Sequence, residues 1–380
     1  MTGPLTGLRV IELAGLGPGP FAGMMLADAG AEVVLIDRPG ATERDRERRR
    51  HELMHRGKRS LVLDFKHPQG RALLLDMLAH VDALIEGFRP GVMERIGLGP
   101  DECMGRNERL VYGRMTGWGQ EGPLARVAGH DINFIGLTGA LHAIGERDAP
   151  PVPPLNLVGD FGGGGMLLAF GLICALLEAD RSGRGQVVDA AMVDGASILT
   201  SFIHGLRHMG HWDDQRASNL VDGGAHFYGT YETADGKYIA VGAVEPRFYA
   251  ELLDLIGIPP SELAPRMDRR VWPEARARLA CAFRSKTRDE WCAIFEGTDA
   301  CVSPVLSFEE APHHRHNVWR SSFLESEGAW QPAPAPRFGR TPGAVDRPPP
   351  LIGEHADEVL KMFGIAAPTV SRLRDGGVIG

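Results

Sequence analysis

Leu8-Arg9-Val10-Ile11-Glu12-Leu13, then Gly15-Leu16-Gly17-Pro18-Gly19-Pro20 and Phe21 to Ala29, lead into Glu32-Val33-Val34-Leu35-Ile36-Asp37. An apolar β-branched run, a Gly/Pro turn, an amphipathic stretch and a second apolar run spell strand, turn, helix, strand. Strands that are apolar at nearly every position belong to a parallel sheet covered on both faces. Further along, Leu61 to Leu63, Ala83 to Glu86 and Leu110 to Arg114 repeat the strand signal, and Gln69 to His80 reads as an intervening helix. The expectation is an α/β fold, its large domain a Rossmann-like open parallel sheet. Asp189 to His208 reads as one long helix leaving that unit. Near residue 225 the composition shifts. Phe227 to Thr233, Asp235-Gly236 and Lys237 to Val241 read as a hairpin, and helical patterns follow to about Glu327, which predicts a smaller α+β domain. Trp330 to Pro336 and Arg347-Pro348-Pro349-Pro350 read as an extended linker, and Glu354 to Phe363 as a final helix.

A chain of 380 residues suits two domains, and 43% hydrophobic with 24% charged residues is ordinary for a globular protein. A net charge of −8 argues against a general nucleic-acid partner. The longest apolar stretch, Met166 to Leu177, is too short to span a bilayer. The opening Met1-Thr2-Gly3-Pro4-Leu5-Thr6 has no signal-peptide pattern, and Gly377-Val378-Ile379-Gly380 is not an S-K-L-type address. Five cysteines with no C-x-x-C pair suit reduced thiols, so a cytoplasmic location is expected.

The residues most suggestive of chemistry are a histidine and an aspartate. His130 sits in Ala128-Gly129-His130-Asp131-Ile132-Asn133, and Asp160 opens Gly159-Asp160-Phe161-Gly162-Gly163-Gly164-Gly165 before the apolar helical run. A base poised near neutrality, a carboxylate and a helix start with free N–H groups are the parts needed to move a proton on carbon. Taken singly, Asp160 also suits an N-cap and His130 a satisfied core histidine.

Three motif matches compete. Gly17-Pro18-Gly19-Pro20-Phe21-Ala22, with Asp37 downstream, fits a dinucleotide fingerprint, but its two prolines remove N–H donors that a pyrophosphate needs. His51-Glu52-Leu53-Met54-His55 is a literal H-E-x-x-H, set among Arg44 to Arg50 and Arg56 to Arg59, a cation-dense segment hostile to a dication. His313-His314-Arg315-His316 reads as a surface cluster. No metal site is expected. Arg38 and Lys66 follow the second and third strands, where open α/β sheets bind ligands, and with Lys58, Arg59, Arg89 and Arg95 they suggest a cradle for several phosphates.

These stretches carry a resemblance. Gly3 to Ala14, Ile36-Asp37-Arg38-Pro39, Arg56 to Ser60 and Glu86 to Val92 resemble the family III CoA-transferases. Arg114 to Gln120, Gly129 to Asn133, Pro154 to Asp160 and Gln186 to Gly195 are similar to the α-methylacyl-CoA racemase branch of that superfamily. The resemblance implies an interlocked homodimer acting on acyl-CoA thioesters, with no cofactor beyond the CoA of the substrate. Residues 1–190 are then the N-terminal part of a large CoA-binding domain, 191–224 a helical linker, 225–331 a small domain, and 332–380 a return to the large one. The resemblance assigns proton transfer to His130 and Asp160, assisted by Glu245. It places Arg38, Leu63, Asp64, Phe65, Lys66, Gly87, Phe88, Arg89, Pro90, Gly91, Val92, Arg95, Gly129, Asp131, Ile132, Asn133 and Phe134 against CoA or the acyl thioester. The chemistry expected is racemisation at the α-carbon through an enolate. The alternative is CoA transfer with Asp160 as a nucleophile, which has no use for His130.

Overall fold

Strand β1 (Arg9–Leu13) alternates its side chains between two cores: Ile11 and Leu13 enter one cluster and Val10 the other. The same holds for β2 (Glu32–Asp37), with Val34 and Ile36 on one side and Val33 on the other. The remaining strands of this sheet are β3 (Arg59–Val62), β4 (Ala83–Glu86), β5 (Val111–Thr116) and β6 (Val187–Ala191). All are parallel, in the order β3-β2-β1-β4-β5-β6. Helix Pro68–Leu78 and two C-terminal helices (Ala356–Met362 and Ala367–Asp375) supply one core, and helices Pro18–Asp28 and Leu167–Ser182 the other. Proline opens Pro18–Asp28 and Pro68–Leu78, where its missing N–H costs nothing.

The computed structural model describes residues 2–326 and 328–380; Met1 and Glu327, the expected end of the helical patterns, lie outside them. The chain divides into two units. The first comprises Met1–Thr138, Leu155–Leu199 and Phe323–Gly380, so it is built from both chain ends; the second comprises Gly139–Pro154 and Thr200–Ser322. The assignment of Gly139–Pro154 to the second unit has no counterpart in the composition. There Arg216 donates to the carbonyls of His142, Glu146 and Ala149, which stitches the excursion to the later segment.

The second unit holds an antiparallel sheet of β7 (Tyr228–Glu232), β8 (Tyr238–Gly242) and β9 (Val302–Val305). The turn between β7 and β8 uses Gly236 at φ 71°, a backbone region that favours glycine. Phe227, Leu252, Leu279, Phe283 and Trp291 form its core. His226 is buried there, its Nε2 2.7 Å from the Tyr249 hydroxyl. Burial, reinforced by Arg276 and Arg266, pulls its pKa down to about 4. The unfolded chain restores the ordinary value of about 6.5. The native state therefore favours the neutral ring. Its contribution is complete above about pH 6.5 and is lost as the pH falls through about 4. The urea midpoint is expected to be lower near pH 4.5 than near pH 7.5, and His226→Gln to flatten that dependence. Equal pH slopes in both proteins would assign the acid sensitivity to other groups.

Several elements differ from the sequence expectation. Asp189 to Ala191 belong to β6, and the helical stretch after them is broken at Thr200 into Met192–Leu199 and Ser201–His208. Pairing with β5 overrides the helical spacing of those residues. Trp330-Gln331-Pro332 is not a linker: β11 (Ala329–Pro332) pairs with β10 (Phe323–Ser326), and buried Arg56 donates to Gln331 Oε1 and the Pro332 carbonyl. Helix Ala367–Asp375 follows the helix expected to be last. The apolar run from Met166 is also longer than expected. A π-helical segment, Leu157–Met166, continues into α-helix Leu167–Ser182. At 26 residues, with a mean hydropathy of 1.8 over an 18-residue stretch, this helix is long and apolar enough to cross a membrane. Its buried Leu168, Leu172, Ala175 and Ala179 recur at helical spacing, and the first three belong to a sheet core; a core helix meets the same length test.

Candidate active site

The chain steps from β1 to β2 and β3 on one side of the sheet, then returns to place β4, β5 and β6 on the other. The C-terminal ends of β1 and β4 therefore flank a topological switch point, where open α/β sheets bind ligands. A cleft of about 380 Å³ lies there. Its lining includes Leu13 and the following Gly15–Pro20 loop, Gly87 to Pro90 after β4, and Met115 to Trp118 at the end of β5. Gly129, His130, Phe134 and Asp160 complete the wall. The two side chains singled out from sequence thus share one cleft. A larger hollow of about 790 Å³ in the second unit is lined by Cys292, Phe295, His314 and Trp319, with Glu296 and Arg315 paired to each other.

His130 precedes helix Asp131–Gly136, and its backbone N–H donates to Asn133 Oδ1 at 3.0 Å, which fixes the ring-bearing residue at the helix start. Its side chain is exposed in the cleft. Asp131 is buried, and its Oδ1 accepts the Asp160 backbone N–H at 2.7 Å. That bond ties the residue after His130 to the Asp160 backbone across 29 residues of sequence. Gly159 leaves room for this carboxylate, since a Cβ would lie 2.4 Å from Asp131 Oδ1 and displace it. The Asp160 carboxylate accepts from Asn156 Nδ2 at 3.1 Å and faces Gly17, whose Cβ would stand 3.4 Å from Oδ2.

Asp160 does not cap its helix. Asn156 holds the N-cap position, its side chain turned to Asp160, and Asp160 lies inside the π-helical segment. The expected free N–H groups are also occupied: that of Asp160 by Asp131, and that of Phe161 by the Asn156 carbonyl. Burial raises the Asp160 pKa above the ordinary carboxylate range; the Asn156 bond opposes it, Asp131 adds to it, and His130 draws it back.

The cation cradle is smaller than its sequence suggested. Lys58 is fully buried against Glu12, and Arg59 is buried against Glu32 and Glu358, so neither is free for a phosphate. Arg38, Lys66, Arg89 and Arg95 remain exposed. Arg38 lies over the Phe88 ring at 5.0 Å, and Phe88 meets Phe65 edge-on at 6.2 Å, so three segments assigned to CoA adjoin one another. Leu63 and Phe65 are core residues, and the Asp64 carboxylate accepts the N–H groups of Lys66 and His67. Gly91 (φ 81°) starts the short helix Val92–Arg95; these residues, with Ile132 and Asn133, lie outside the cleft lining. Glu245 is exposed at the N-cap of helix Pro246–Ile256 in the second unit. The sequence did not single out Gly17 or Asn156 as neighbours of Asp160. The loop signal at Gly17 was spent on the dinucleotide fingerprint, whose Asp37 is instead buried against Arg49 and Ser60.

The H-E-x-x-H stretch is not helical throughout: His51 is in a turn and Leu53–His55 forms one 3₁₀ turn. His55 is buried 3.5 Å from Glu52, and burial pulls its pKa down to about 2. Among the described residues, no group of three or more His, Cys, Asp and Glu side chains converges as a metal site.

Comparison with known proteins shows the family and the fold. Residues 5–356 match CoA-transferase family III. The chain is 48% identical to alpha-methylacyl-CoA racemase of Mus musculus, covering 99% of this chain and 97% of the relative. It is 47% identical to alpha-methylacyl-CoA racemase of Homo sapiens, again over 99% and 97%. Among solved structures, a CAIB/BAIF family protein from Brucella suis superposes with a TM-score of 0.79 at 25% identity, covering 96% of this chain and all of that one.

Proposed function

The chain belongs to CoA-transferase family III, and from that premise we propose that it is an isomerase that racemises 2-methylacyl-CoA thioesters. Near-full-length identity of 47–48% to two racemases is the observation that carries this reading. The cleft supplies a mechanism. An α-proton beside a thioester carbonyl is weakly acidic, so its removal needs a base held in contact. His130 and Asp160 line one cleft, and inversion is simplest when they address opposite faces of a planar enolate. One takes the proton while the other, already protonated, delivers a different one. A raised Asp160 pKa suits this exchange, because the carboxyl must carry a proton for one direction of turnover. The part proposed for Glu245 rests on the family resemblance alone. Nothing in the step changes an oxidation state or needs a Lewis acid, so side chains suffice and no cofactor beyond the substrate's CoA is required.

Arg38, Phe88 and the neighbouring loops are proposed to hold the CoA moiety. We also propose an interlocked homodimer in the cytoplasm. The apolar side chains Met166, Phe170, Leu177, Ile198 and Leu199, exposed on the first unit, support a covering partner, and five unpaired cysteines support a reducing compartment. A single epimer of a 2-methylacyl-CoA, incubated with the protein alone, should drift to an epimeric mixture. A transferase does nothing until an acceptor acid is added, so inertness until then would overturn the racemase reading.

A further inference from the structure

Beneath the cleft lies a charged pair that the proton transfer does not use. Glu12, next to the last residue of β1, and Lys58, just before β3, are both fully buried, with Nζ 2.6 Å from Glu12 Oε2. Lys58 Nζ also donates to the Pro20 carbonyl at 2.9 Å. The other oxygen, Glu12 Oε1, is buried without a partner. Burying such a pair is a poor way to gain stability, because desolvation offsets most of the attraction. Its geometry has a different consequence. Pro20 closes the Gly15–Pro20 loop that lines the cleft, and helix Pro18–Asp28 begins within that loop.

The start of that helix packs on the segment carrying Asp160, with no space to spare. A Cβ on Gly164 would lie 3.0 Å from Pro18 Cβ, and one on Gly165 would lie 2.8 Å from the Pro18 carbonyl oxygen and 2.7 Å from Phe21 Cδ1. The Phe21 and Phe161 rings meet at 4.9 Å, and Gly17 abuts the Asp160 carboxylate itself. Gly23 leaves room for the pair, since a Cβ there would fall 1.8 Å from Glu12 Oε2. The contacts therefore run without a gap from Glu12 through Lys58 and Pro20 to Gly17 and Asp160.

We propose that Glu12 and Lys58 are positioning residues for Asp160: the pair pins the Pro20 carbonyl, and through it the Gly17–Pro20 loop, against the segment that carries the carboxylate. The role rests on Asp160 being one of the two bases. A shift of about 1 Å in a reacting group costs up to roughly a hundredfold in rate, whereas binding contacts elsewhere on the substrate are untouched by it.

The decisive variant is the double substitution Glu12→Leu with Lys58→Met, which removes both charges together and so leaves neither unpaired. In the full-length protein, the expected result is a native circular dichroism spectrum, a kcat for racemisation about tenfold or more below the parent, and a KM for the acyl-CoA within about threefold of it. In D₂O, the epimer served by His130 should still exchange its α-proton with retention at close to the parental rate, a pattern that general loosening of the fold does not produce. A folded double variant with parental kcat, or one that loses both exchange reactions equally, overturns the proposal. Should the double variant not fold, Gly17→Ala probes the other end of the same contacts. Gly17 has a φ of 68°, where alanine is strained, so this substitution displaces the loop beside the Asp160 carboxylate; the same split of kcat from KM is expected, and a parental kcat there overturns the proposal equally. If the parent protein itself does not racemise, it is the proposed function that fails.

Discussion

Replacing Asp160 with alanine should abolish interconversion of the two epimers and yet leave one of them exchanging its α-proton with solvent. If the two bases work from opposite faces, His130 alone still removes the proton of its own epimer and, deuterated by solvent, returns a deuteron to the same face. Inversion fails because nothing delivers a proton to the other face. Replacing His130 should give the mirror result, with exchange confined to the epimer addressed by Asp160. Each loss should reach several orders of magnitude, since a positioned acid or base supplies roughly 10²- to 10⁴-fold and every turnover needs both. Pure epimers in D₂O, followed by NMR at the α-carbon, decide the matter. Equal exchange of both epimers by either single variant would sink the two-base assignment and leave one base with a rotating enolate.

What could be read from sequence was what is local. The β1–helix–β2 stretch is legible because each strand has an apolar, mostly β-branched centre, Val10-Ile11 and Val33 to Ile36, and a Gly/Pro turn and a helix separate them. His130 and Asp160 stood out as reactive types in unusual settings, and the cleft contains both. What depends on distant pairing was not legible. Residues 189–191 show helical spacing until β5 is there to pair with. Lys58 sits in a run of cations and reads as solvated or phosphate-binding. Its partner, Glu12, is 46 residues away and itself looks like a misplaced charge in a strand. Asp131 reads as a substrate ligand, and the bond from the Asp160 backbone N–H to its Oδ1 is a distant pairing that no spacing reveals. The family resemblance supplied the assignments of Glu245 and the CoA loops, which no spacing in the chain would yield.

The structural use of Gly162 to Gly165 predicts the second large effect. The four glycines lie within the π-helical segment, which packs on helix Met192–Leu199 backbone to backbone. A Cβ on Gly195 would fall 1.8 Å from the Gly163 carbonyl oxygen, and one on Gly163 would fall 2.5 Å from the Ala196 nitrogen. Neither obstacle is the end of a side chain that can swing away, so a single methyl must separate two helices. Gly195→Ala is therefore expected to cost about 3 kcal/mol or more, the upper range for overpacking a core. Helix propensity alone would favour alanine by up to roughly 1 kcal/mol, which makes the sign of the effect diagnostic. The displaced segment carries Asp160, so kcat should fall in whatever fraction remains folded, while contacts to the CoA moiety keep KM near the parental value. Urea unfolding of Gly195→Ala beside the parent, with kcat measured in the folded baseline, tests both parts. An unchanged or raised midpoint would mean that the two helices do not meet at Gly163 and Gly195, and the placement of Asp160 would lose its support.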